Sequence, residues 1–527
     1  MRNAHTVATV RAAEQALMAK VPDGTLMQRA AAGLAAVCAS LLDRVYGARV
    51  VVLAGGGDNG GDALFAAAHL ARRGAAVTAI AASSRLHEAG TTALISRGGR
   101  TLPAEAGGGA TAGGESATAA EGAPGGATEA TGDARVTAEV RAALAAADLI
   151  IDGLTGIGGH GGLREPAATL ARLTQQARTA GAVVVAVDLP SGIDADTGEV
   201  HGAAVRADVT VTFGTIKPGL LIDPGASYAG ATELIDIGLG PYLGIPAVRS
   251  LQADDIATLL PHPSAESDKY RRGVLGLAAG SDRYTGAAVL SCGGAIRGGA
   301  GMVRFVSAAE AVAVVRQHWP EAVITVCDPS RPGDAITAAG RVQAWAAGPG
   351  LGTTEAAGAI LTAVLASDVP VLVDADGLTL LAANPSLLRR EPPVLITPHP
   401  GELARLLSVD RTDIEARRLH YVRIAAAELG VTVLLKGSTT VIASPGASEP
   451  VLVNPTGTSW LATAGSGDVL TGLAGSLLAQ GLDPARAAAA AAFLHGLAAR
   501  LAAADAPIGA SDLLTAIPAA IRAVTSS

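Results

Sequence analysis

A short apolar run that ends in glycines and leads into a helical pattern constrains the fold of this chain more than any other feature. Residues 49–53 form such a run, and residues 54–62 continue it as Ala-Gly-Gly-Gly-Asp-Asn-Gly-Gly-Asp. Apolar residues then recur at helical spacing from Leu64 to Leu70. A strand that enters a helix through a glycine loop is the βα unit of an open parallel sheet. The sequence therefore predicts an α/β fold.

The same unit recurs in both halves of the chain. Predicted strands, some with the turn that follows them, lie at 49–53, 76–81, 148–152, 183–188, 274–281, 344–352, 369–373, 394–396 and 431–435. Because 527 residues are too many for one hydrophobic core, we expect more than one domain. Residues 239–262 are rich in Gly and Pro and lack a long periodicity. We therefore predict a domain over residues 1–240 and a second over 250–524.

Residues 105–133 differ in composition from the rest of the chain. They are almost wholly Gly, Ala, Thr, Glu, Ser and Pro. Such a segment cannot bury enough apolar surface to offset the entropy lost on ordering. We interpret it as a disordered insert in the first domain and assign it no chemistry.

Charge and cysteine content exclude several classes of protein. A net charge of −8 argues against a nucleic acid or an anionic membrane as the main partner. Three scattered cysteines give neither a disulfide framework nor metal-ligand spacing, and the N-terminus has no signal-peptide pattern. The Ala-rich run 485–504 contains Arg486, His495 and Arg500, which favours a buried helix over a membrane span. We predict a cytoplasmic protein with no nucleic-acid and no membrane partner.

In the first half, three successive predicted strands end beside Asn59, Asp152 and Asp188. The carboxyl ends of parallel strands meet at one edge of the sheet, so these side chains can form an active site. Asn59, Asp152 and Ser191 offer oxygen ligands without neighbouring His or Cys, which suits K⁺, Na⁺ or Mg²⁺ rather than zinc. Asp188 is then available for acid–base chemistry. Alternatively, these residues only stabilise their turns.

In the second half, residues 454–472 run from a Thr-rich segment through Gly465-Ser466-Gly467 to Asp468 and then into an apolar helical pattern. A glycine turn at a helix start directs free N–H groups at one point and so predicts an anion site. Asp468 in that first turn is either a general base or only a helix cap. Lys436 and the turn that follows it form a candidate phosphate-binding site. Lys436 and His399 also have structural interpretations, as a surface lysine and a satisfied loop histidine.

Together these motifs resemble those of the bifunctional NAD(P)H-hydrate repair enzymes. The matching motifs are residues 58–62, 152–158 and 187–194 in the first half, and 348–352, 397–402, 436–440 and 454–472 in the second. The resemblance implies two three-layer αβα domains. The first is a Rossmann-like NAD(P)H-hydrate epimerase, and the second is a ribokinase-like, ADP-dependent NAD(P)H-hydrate dehydratase.

The resemblance also implies roles for particular residues. Asn59, Asp152 and Ser191 are expected to hold K⁺, and Asp188 and Asp468 to be catalytic. The residues expected to bind the hydrate are, in the epimerase, Asp58, Asn59, Gly60, Gly61, Asp62, Gly156, Ile157, Gly158, Gly159, His160, Gly161, Gly162 and Asp188, and, in the dehydratase, Ala287, Gly350, His399 and Asp468. Those expected to bind the nucleotide are Lys436, Gly437, Ser438, Thr439, Thr440 and Gly467.

The implied chemistry is repair of NADH hydrate and NADPH hydrate. ADP phosphorylates the hydroxyl of the S hydrate, phosphate leaves in place of hydroxide, and AMP remains. Mg²⁺ is expected with ADP, held in part by Glu402 through water. Two residues, Asp58 and Ala63, depart from the family pattern, which has Asn and Gly there. A homo-oligomer is also expected.

Two other functions remain open at this point. One is a small-molecule kinase with a ribokinase-like second half. The other is a nucleotide-sensing protein whose first half is a catalytically silent binding or dimerisation module. A hydrate assay with ADP separates the repair enzyme from the kinase. The epimer ratio after addition of the N-terminal half alone separates it from the sensing protein.

Overall fold

The computed structural model describes residues 1–105, 136–446 and 449–526. All but the first residue of the predicted insert 105–133 therefore lies outside the described residues. The chain divides into two compact units. The N-terminal unit comprises Ala4–Leu220 and Pro224–Ile245, and the C-terminal unit comprises Met1–Asn3, Leu221–Asp223 and Pro246–Ser527. The short segments 1–3 and 221–223 thus belong to the C-terminal unit, although the sequence placed them in the first domain.

Strands and helices alternate along most of the chain. The strands are β1 (Arg2–Ala4), β2 (Arg49–Ala54), β3 (Ala76–Ala81), β4 (Arg100–Pro103), β5 (Leu149–Gly153), β6 (Val183–Val187), β7 (Val209–Phe213), β8 (Ala231–Ile235), β9 (Val248–Ser250), β10 (Val274–Ala278), β11 (Met302–Ser307), β12 (Val323–Val326), β13 (Ala344–Ala347), β14 (Val371–Val373), β15 (Val394–Ile396), β16 (Thr432–Leu435), β17 (Thr440–Ala443) and β18 (Val451–Asn454). The α-helices are α1 (Val7–Met18), α2 (Thr25–Ser40), α3 (Asp58–Arg72), α4 (Glu88–Ile95), α5 (Ala138–Ala145), α6 (Ala167–Thr179), α7 (Ala226–Ala229), α8 (Ala253–Leu259), α9 (Thr285–Arg297), α10 (Ala309–His318), α11 (Asp334–Ala338), α12 (Glu355–Leu365), α13 (Asp376–Ala383), α14 (Pro400–Leu407), α15 (Arg411–Ala416), α16 (Arg418–Leu429), α17 (Ser466–Ala479), α18 (Pro484–Ala503) and α19 (Ala510–Thr525).

The N-terminal unit is built on a parallel sheet. Within the described residues its seven strands lie in the order β4-β3-β2-β5-β6-β7-β8, and each neighbouring pair is parallel. Val50 and Val52 pack in one hydrophobic core with α2 and α3, while Val51 and Leu53 pack in another with α5 and α6. Both faces of the sheet are therefore covered by helices, which explains why its strands are continuous apolar runs.

The C-terminal unit is built on a larger, mixed sheet. Among the described residues the order is β1-β9-β18-β17-β16-β15-β14-β13-β10-β11-β12. The strands from β16 to β12 in that order pair in parallel, whereas β16, β17 and β18 pair antiparallel. Leu275 and Leu277 of β10 share a core with α9, α17, α18 and α19. The prediction of two α/β units on parallel sheets is confirmed, and the antiparallel β17 and β18 were not predicted.

The Ala-rich run predicted to be a buried helix forms α18. Its residues from Ala487 to Ala492 are all buried in the core of the C-terminal unit. None of the helices in the described part of the chain combines the length and the apolar character that crossing a membrane requires.

Candidate active sites

A cavity of about 860 Å³ lies in the N-terminal unit where β2, β5, β6 and β7 end. Its lining includes these residues from the predicted hydrate site: Asp58, Asn59, Gly60, Asp62, Gly156, Ile157, Gly158, Gly159 and Asp188. Asp58 begins α3, so the N–H groups of its first residues, Asp58 to Gly60, lie at the end of the helix that borders the cavity. The strand–glycine loop–helix pattern thus places one wall of the cavity directly.

Other predicted hydrate residues are not part of this lining: Gly61, His160, Gly161 and Gly162. Gly61 packs against His87, where a Cβ on it would lie 3.0 Å from the imidazole ring. His160 is exposed and its Nδ1 lies 3.3 Å from the Asp194 carboxylate. A Cβ on Gly162 would lie 1.8 Å from the His201 carbonyl oxygen. Gly61 and Gly162 therefore allow close packing at these positions.

Asp188 is held by an ion pair that the sequence did not predict. The ammonium of Lys217, whose side chain is 1% exposed, contacts the Asp188 Oδ1, which also accepts hydrogen bonds from the Thr212 hydroxyl at 3.0 Å and the Phe213 N–H at 3.1 Å. Lys217 also donates to the Phe213 carbonyl oxygen at 3.0 Å. Asp188 has a φ of 65°, in the left-handed region that non-glycine residues rarely adopt. Such strain together with a buried ion pair marks a candidate functional residue.

A second carboxyl group in the cavity is forced toward its neutral form. Burial, together with the negative charges of Asp188, Asp58 and Glu14, raises the pKa of Asp62 to about 8. The Oδ1 of Asp62 is buried and has no hydrogen-bond partner within the described residues. Burial also raises the pKa of Glu14, which lines the same cavity. One cavity therefore contains an ion-paired carboxylate, Asp188, and a carboxyl group that is protonated at neutral pH, Asp62.

The three residues predicted to bind a cation lie together. Asp152 and Ser191 are fully buried, and the Asp152 carboxylate accepts bonds from the Ser191 hydroxyl at 2.7 Å and its N–H at 2.8 Å. Asn59 joins them through the Thr155 carbonyl oxygen, to which its amide donates at 2.9 Å. Burial raises the pKa of Asp152 to about 6, an effect that the bonds from Ser191 and Leu154 oppose. A buried carboxylate with only neutral donors around it gains from a nearby cation.

The C-terminal unit gathers its polar residues around Lys436, which follows β16. Its ammonium lies 2.8 Å from the Asp374 Oδ1 and 3.7 Å from the Glu402 Oε2. The second oxygen of Asp374 accepts from the Thr471 hydroxyl at 2.6 Å. Burial alone would lower the pKa of Lys436, but Asp374 and Glu402 outweigh it and raise the pKa. The charge of Lys436 is thus partly neutralised by the protein itself.

Asp468 lies beside this ion pair, in the first turn of α17. Burial and the negative charge of Asp374, opposed by Lys436, raise the pKa of Asp468 to about 7. A Cβ on the adjacent Gly467 would lie 3.5 Å from the Lys436 ammonium. Buried His495 lies 2.9 Å from the Ser466 carbonyl oxygen, and burial lowers the pKa of this imidazole to about 4. His495 is therefore neutral and supports the start of α17 as a hydrogen-bond donor.

The glycine loop after β13 approaches the same ion pair. Gly350 has a φ of 60°, and a Cβ there would lie 2.8 Å from the Ala287 Cβ, so these two predicted hydrate residues are neighbours. The Gly352 N–H donates to Asp376 at 2.9 Å. Ala375, between Asp374 and Asp376, has a φ of 51°. As at Asp188, a strained residue ends a strand beside a candidate site.

His399 caps a helix in this structure. Its Nδ1 accepts from the Gly401 N–H at 3.0 Å and the Glu402 N–H at 3.3 Å, while Glu402 accepts from the His399 N–H at 2.7 Å. This reciprocal pair is a capping box at the start of α14. Contact between His399 and a hydrate stays a prediction.

The predicted nucleotide turn, residues 436–440, joins β16 to β17. The Ser438 hydroxyl donates to the Asp223 carboxylate, and the Thr439 hydroxyl lies 3.3 Å from the same carboxylate oxygen. Buried Arg418 donates to the carbonyl oxygens of Lys436 at 2.9 Å and Thr439 at 3.1 Å. Two of the three hydroxyls that the sequence assigned to the nucleotide therefore face a carboxylate of the protein.

Comparisons with known proteins match both units. A family model described as NAD(P)H-hydrate dehydratase matches residues 275–521, and one described as YjeF-related protein N-terminus matches residues 23–219. Over 536 residues the chain is 46% identical to the bifunctional NAD(P)H-hydrate repair enzyme Nnr of Mycobacterium leprae, covering 99% of this chain and 100% of that protein. The chain belongs to the bifunctional NAD(P)H-hydrate repair enzymes.

Other relatives agree over large parts of the chain. The repair enzyme Nnr of Mycobacterium tuberculosis is 45% identical over 496 residues, with 93% of this chain and 92% of that protein covered. A crystal structure of the ADP/ATP-dependent NAD(P)H-hydrate dehydratase of Bacillus subtilis, co-crystallised with ATP/Mg²⁺, is 32% identical. The match covers 53% of this chain and 99% of the Bacillus subtilis chain, with a TM-score of 0.47.

Sequence reasoning overlooked three residues of this repair enzyme that the structure brings to its candidate sites. Lys217 follows β7, a strand that was not predicted. Asp374 directly follows the predicted strand 369–373 but was given no role, and Thr471 lies in the motif 454–472 without a role of its own. The signal for Asp374 was the Asp-Ala-Asp-Gly sequence directly after an apolar strand. Thr471 gave no signal, because its bond to Asp374 joins residues 97 positions apart.

Proposed function

We propose that the N-terminal unit interconverts the R and S forms of NADH hydrate and NADPH hydrate, and that the C-terminal unit dehydrates the S form with ADP. Membership of the repair-enzyme family supports both activities. The observation that carries the proposal is that the site in each unit combines a strand-end or helix-start aspartate with a lysine–carboxylate ion pair. In the N-terminal unit this is Asp188 with Lys217, and in the C-terminal unit it is Asp468 beside Lys436 and Asp374.

In the epimerase, Asp188 acts as the proton acceptor and donor for the substrate hydroxyl. Among the described residues its three hydrogen-bond donors all act on Oδ1, so Oδ2 is the oxygen that meets the substrate. Asp188 takes the hydroxyl proton as the carbon–nitrogen bond at that carbon breaks, its electron pair passes to nitrogen and the oxygen becomes a carbonyl. The nitrogen then attacks the opposite face of the carbonyl, and Asp188 returns the proton to the oxygen. Lys217 orients the carboxylate and is its counter-ion. Protonated Asp62 donates a hydrogen bond to the substrate as a neutral acid.

We assign K⁺ to Asn59, Asp152 and Ser191. Their oxygen donors are of the type that hard cations prefer, and buried Asp152 supplies the charge that such a cation would balance. Bound K⁺ supplies a positive charge that fixes the loops following β2, β5 and β6 around the cavity.

In the dehydratase, Asp468 is the general base. A carboxyl group with a pKa near 7 is half ionised at neutral pH and can accept the proton of the hydrate hydroxyl as ADP phosphorylates it. The Gly467 and Asp468 N–H groups at the start of α17 stabilise negative charge on the transferring phosphoryl group. Lys436 and Thr471 fix Asp374 next to this helix start. Phosphate then leaves where hydroxide would be a poor leaving group.

We assign Mg²⁺ to ADP in the dehydratase. Asp374, Glu402 and Asp468 outnumber the single ammonium of Lys436, so the site disfavours a bare diphosphate and favours one accompanied by a divalent cation. Asp374 and, through water, Glu402 are the residues that would hold it. Mg²⁺ supplies charge neutralisation of the phosphates when bound.

Two further assignments follow from the sequence rather than the sites. Cys38, Cys292 and Cys327 are free thiols, which suits a reducing cytoplasm. A homo-oligomer remains a prediction.

The deciding experiment uses the full-length protein, an R/S mixture of NADH hydrate, MgCl₂ and either ADP or ATP. We expect the NADH absorbance to return completely with ADP, with AMP and phosphate formed in equal amounts. A stable phosphorylated product without recovery of absorbance would instead indicate a small-molecule kinase. Recovery that stops when the S form is consumed would show that the N-terminal unit does not epimerise the hydrate.

A further inference from the structure

The turn that joins β16 to β17 is fixed by a residue far from it in the sequence. Asp223 lies 215 positions before Ser438, yet segment 221–223 belongs to the C-terminal unit. The residue also falls between the two ranges that the family models match, which end at residue 219 and resume at residue 275. Neither the sequence motifs nor the family models therefore point to it.

The contacts of Asp223 are made with the turn itself. Its Oδ2 accepts a hydrogen bond from the Ser438 hydroxyl and lies 3.3 Å from the Thr439 hydroxyl oxygen. The backbone N–H of Asp223 donates to that same Thr439 oxygen at 3.1 Å. The Thr439 hydroxyl can thus donate to the carboxylate and accept from the amide, which fixes its orientation. Thr439 and Asp223 are buried, so these bonds are shielded from water.

Arg418 holds the turn from a second direction. One guanidinium nitrogen donates to the Leu435, Lys436 and Thr439 carbonyl oxygens at 3.3, 2.9 and 3.1 Å. A Cβ on Gly437 would lie 2.4 Å from the same nitrogen, so a larger residue there would displace the guanidinium from these bonds. Arg418 is buried, which lowers the pKa of its guanidinium, and the nearby Asp223 opposes that shift. The backbone of the turn is therefore held by Arg418, and its side chains by Asp223.

We infer that Asp223 is a positioning residue that holds residues 436–439 in the conformation that receives the adenine nucleotide. The inference rests on the proposed role of this turn in ADP binding. A turn ordered before binding loses less conformational entropy when the nucleotide arrives, so Asp223 acts on affinity rather than on the chemical step. A carboxylate close to phosphates would weaken binding by repulsion, which opposes this effect. The two effects have opposite signs, so suitable variants can separate them.

The test measures ADP binding by calorimetry and the KM and kcat of dehydration in the full-length protein. Asp223→Ala removes both acceptor and charge, and we expect the Kd and KM for ADP to rise about tenfold while kcat stays within about twofold. Asp223→Asn removes the charge but keeps an acceptor, and we expect its KM to stay within about threefold of the native value. Glu428→Ala, which removes an exposed carboxylate from α16 of the same unit, is the matched control and should change neither constant.

A double-mutant cycle distinguishes positioning from general damage to the fold. If Asp223 acts through the turn, Ser438→Ala added to Asp223→Ala should raise the KM for ADP no further than Asp223→Ala alone. Additive effects, an unchanged or lower KM in Asp223→Ala, or a loss confined to kcat would each overturn the inference. Native protein that fails to bind ADP would instead refute the proposed function. A native thermal midpoint for each variant reports that the C-terminal unit is folded, and epimerisation by the same samples should equal that of native protein.

Discussion

Lys217 and Asp188 form a buried ion pair at the edge of the cavity in the N-terminal unit. The lysine is 1% exposed, and its ammonium also contacts the Thr212 hydroxyl at 3.1 Å and the Phe213 carbonyl oxygen at 3.0 Å. Burying two charges is costly unless both are paired and hydrogen-bonded, as they are here. An arrangement of this cost, placed on a residue with a positive φ, indicates that the carboxylate must be held in one orientation.

Lys217→Met should abolish epimerisation while leaving dehydration intact. Methionine fills a similar volume but leaves Asp188 buried without a counter-ion, and we expect a loss of about 10²-fold or more in the rate of interconversion. The measurement is the rate at which R-hydrate disappears in the presence of ADP, compared with the rate for pure S-hydrate in the same sample.

A companion variant separates the catalytic effect from a loss of stability. Lys217→Met combined with Asp188→Asn contains neither buried charge, so its thermal midpoint should recover toward the native value while epimerisation stays lost. Recovery of epimerisation in the double variant would contradict the role of Asp188 as the acid–base group. Normal epimerisation in Lys217→Met alone would show that the ion pair is structural only.

Lys217 follows a strand, β7, whose residue pattern hides its position inside the sheet. Strands β2, β3 and β6 were predicted because parallel strands covered on both faces are continuous apolar runs. Strand β7, Val-Thr-Val-Thr-Phe, alternates apolar residues with Thr, but Thr210 and Thr212 are also fully buried. A pattern that would suit a half-exposed strand thus lies inside the sheet, and the lysine after it went unassigned.

For the C-terminal site, the sequence predicted the segments but not the contacts between their side chains. Motifs local in sequence, such as the 348–352 loop and the start of α17, were identified as site segments because their glycine turns are visible in the sequence. The contacts of Lys436 with Asp374 and of Ser438 with Asp223 join residues 62 and 215 positions apart. Pairings of this length depend on strand order, which a single sequence does not specify. The strands and turns were therefore more predictable than the partners of the side chains on them.

Asp62 provides a test of the neutral acid in the epimerase cavity. Because its pKa is raised to about 8, native epimerisation should fall as pH rises through that value and a second negative charge forms beside Asp188. Asp62→Asn is neutral at every pH, so it should retain much of the native rate at pH 7 and should lack the decline near pH 8. The measurement is the pH dependence of epimerisation from pH 6 to 9.5.

The stability of the same variant supplies a check that does not depend on activity. A carboxyl group with a pKa of about 8 when folded and 3.8 as its ordinary value favours folding at low pH and loses that contribution as pH rises toward 8. The thermal midpoint of Asp62→Asn should therefore gain on that of the native protein as pH increases across this window. A difference between the variant and native midpoints that is the same at pH 6 and pH 9 would argue against a buried, protonated Asp62.

The assignment of K⁺ predicts a stability that depends on the cation. KCl should raise the thermal midpoint and the epimerisation rate relative to tetramethylammonium chloride at equal ionic strength, with a shift in midpoint on the order of 5 °C at saturation. Asp152→Asn removes the buried charge that a cation would balance, and it should abolish the difference between the two salts. A native protein with the same midpoint in both salts would exclude the site.

The raised pKa of Asp468 leads to a prediction for the pH dependence of dehydration. Burial and the neighbouring Asp374 raise its pKa to about 7, so the fraction of protein with an ionised base grows as pH rises through 7. The kcat/KM for S-hydrate with saturating MgADP should therefore fall about tenfold for each pH unit below 6 and level off above 8, which gives the pH profile an acidic limb.

Thr471→Val removes the hydroxyl that donates to Asp374 at 2.6 Å, and it should shift the acidic limb of the pH profile while leaving activity measurable. Asp468→Asn should lose at least about 10²-fold in kcat and show no limb at all. If Asp468→Asn keeps the native rate, or if the native limb is unchanged in that variant, another group is the base.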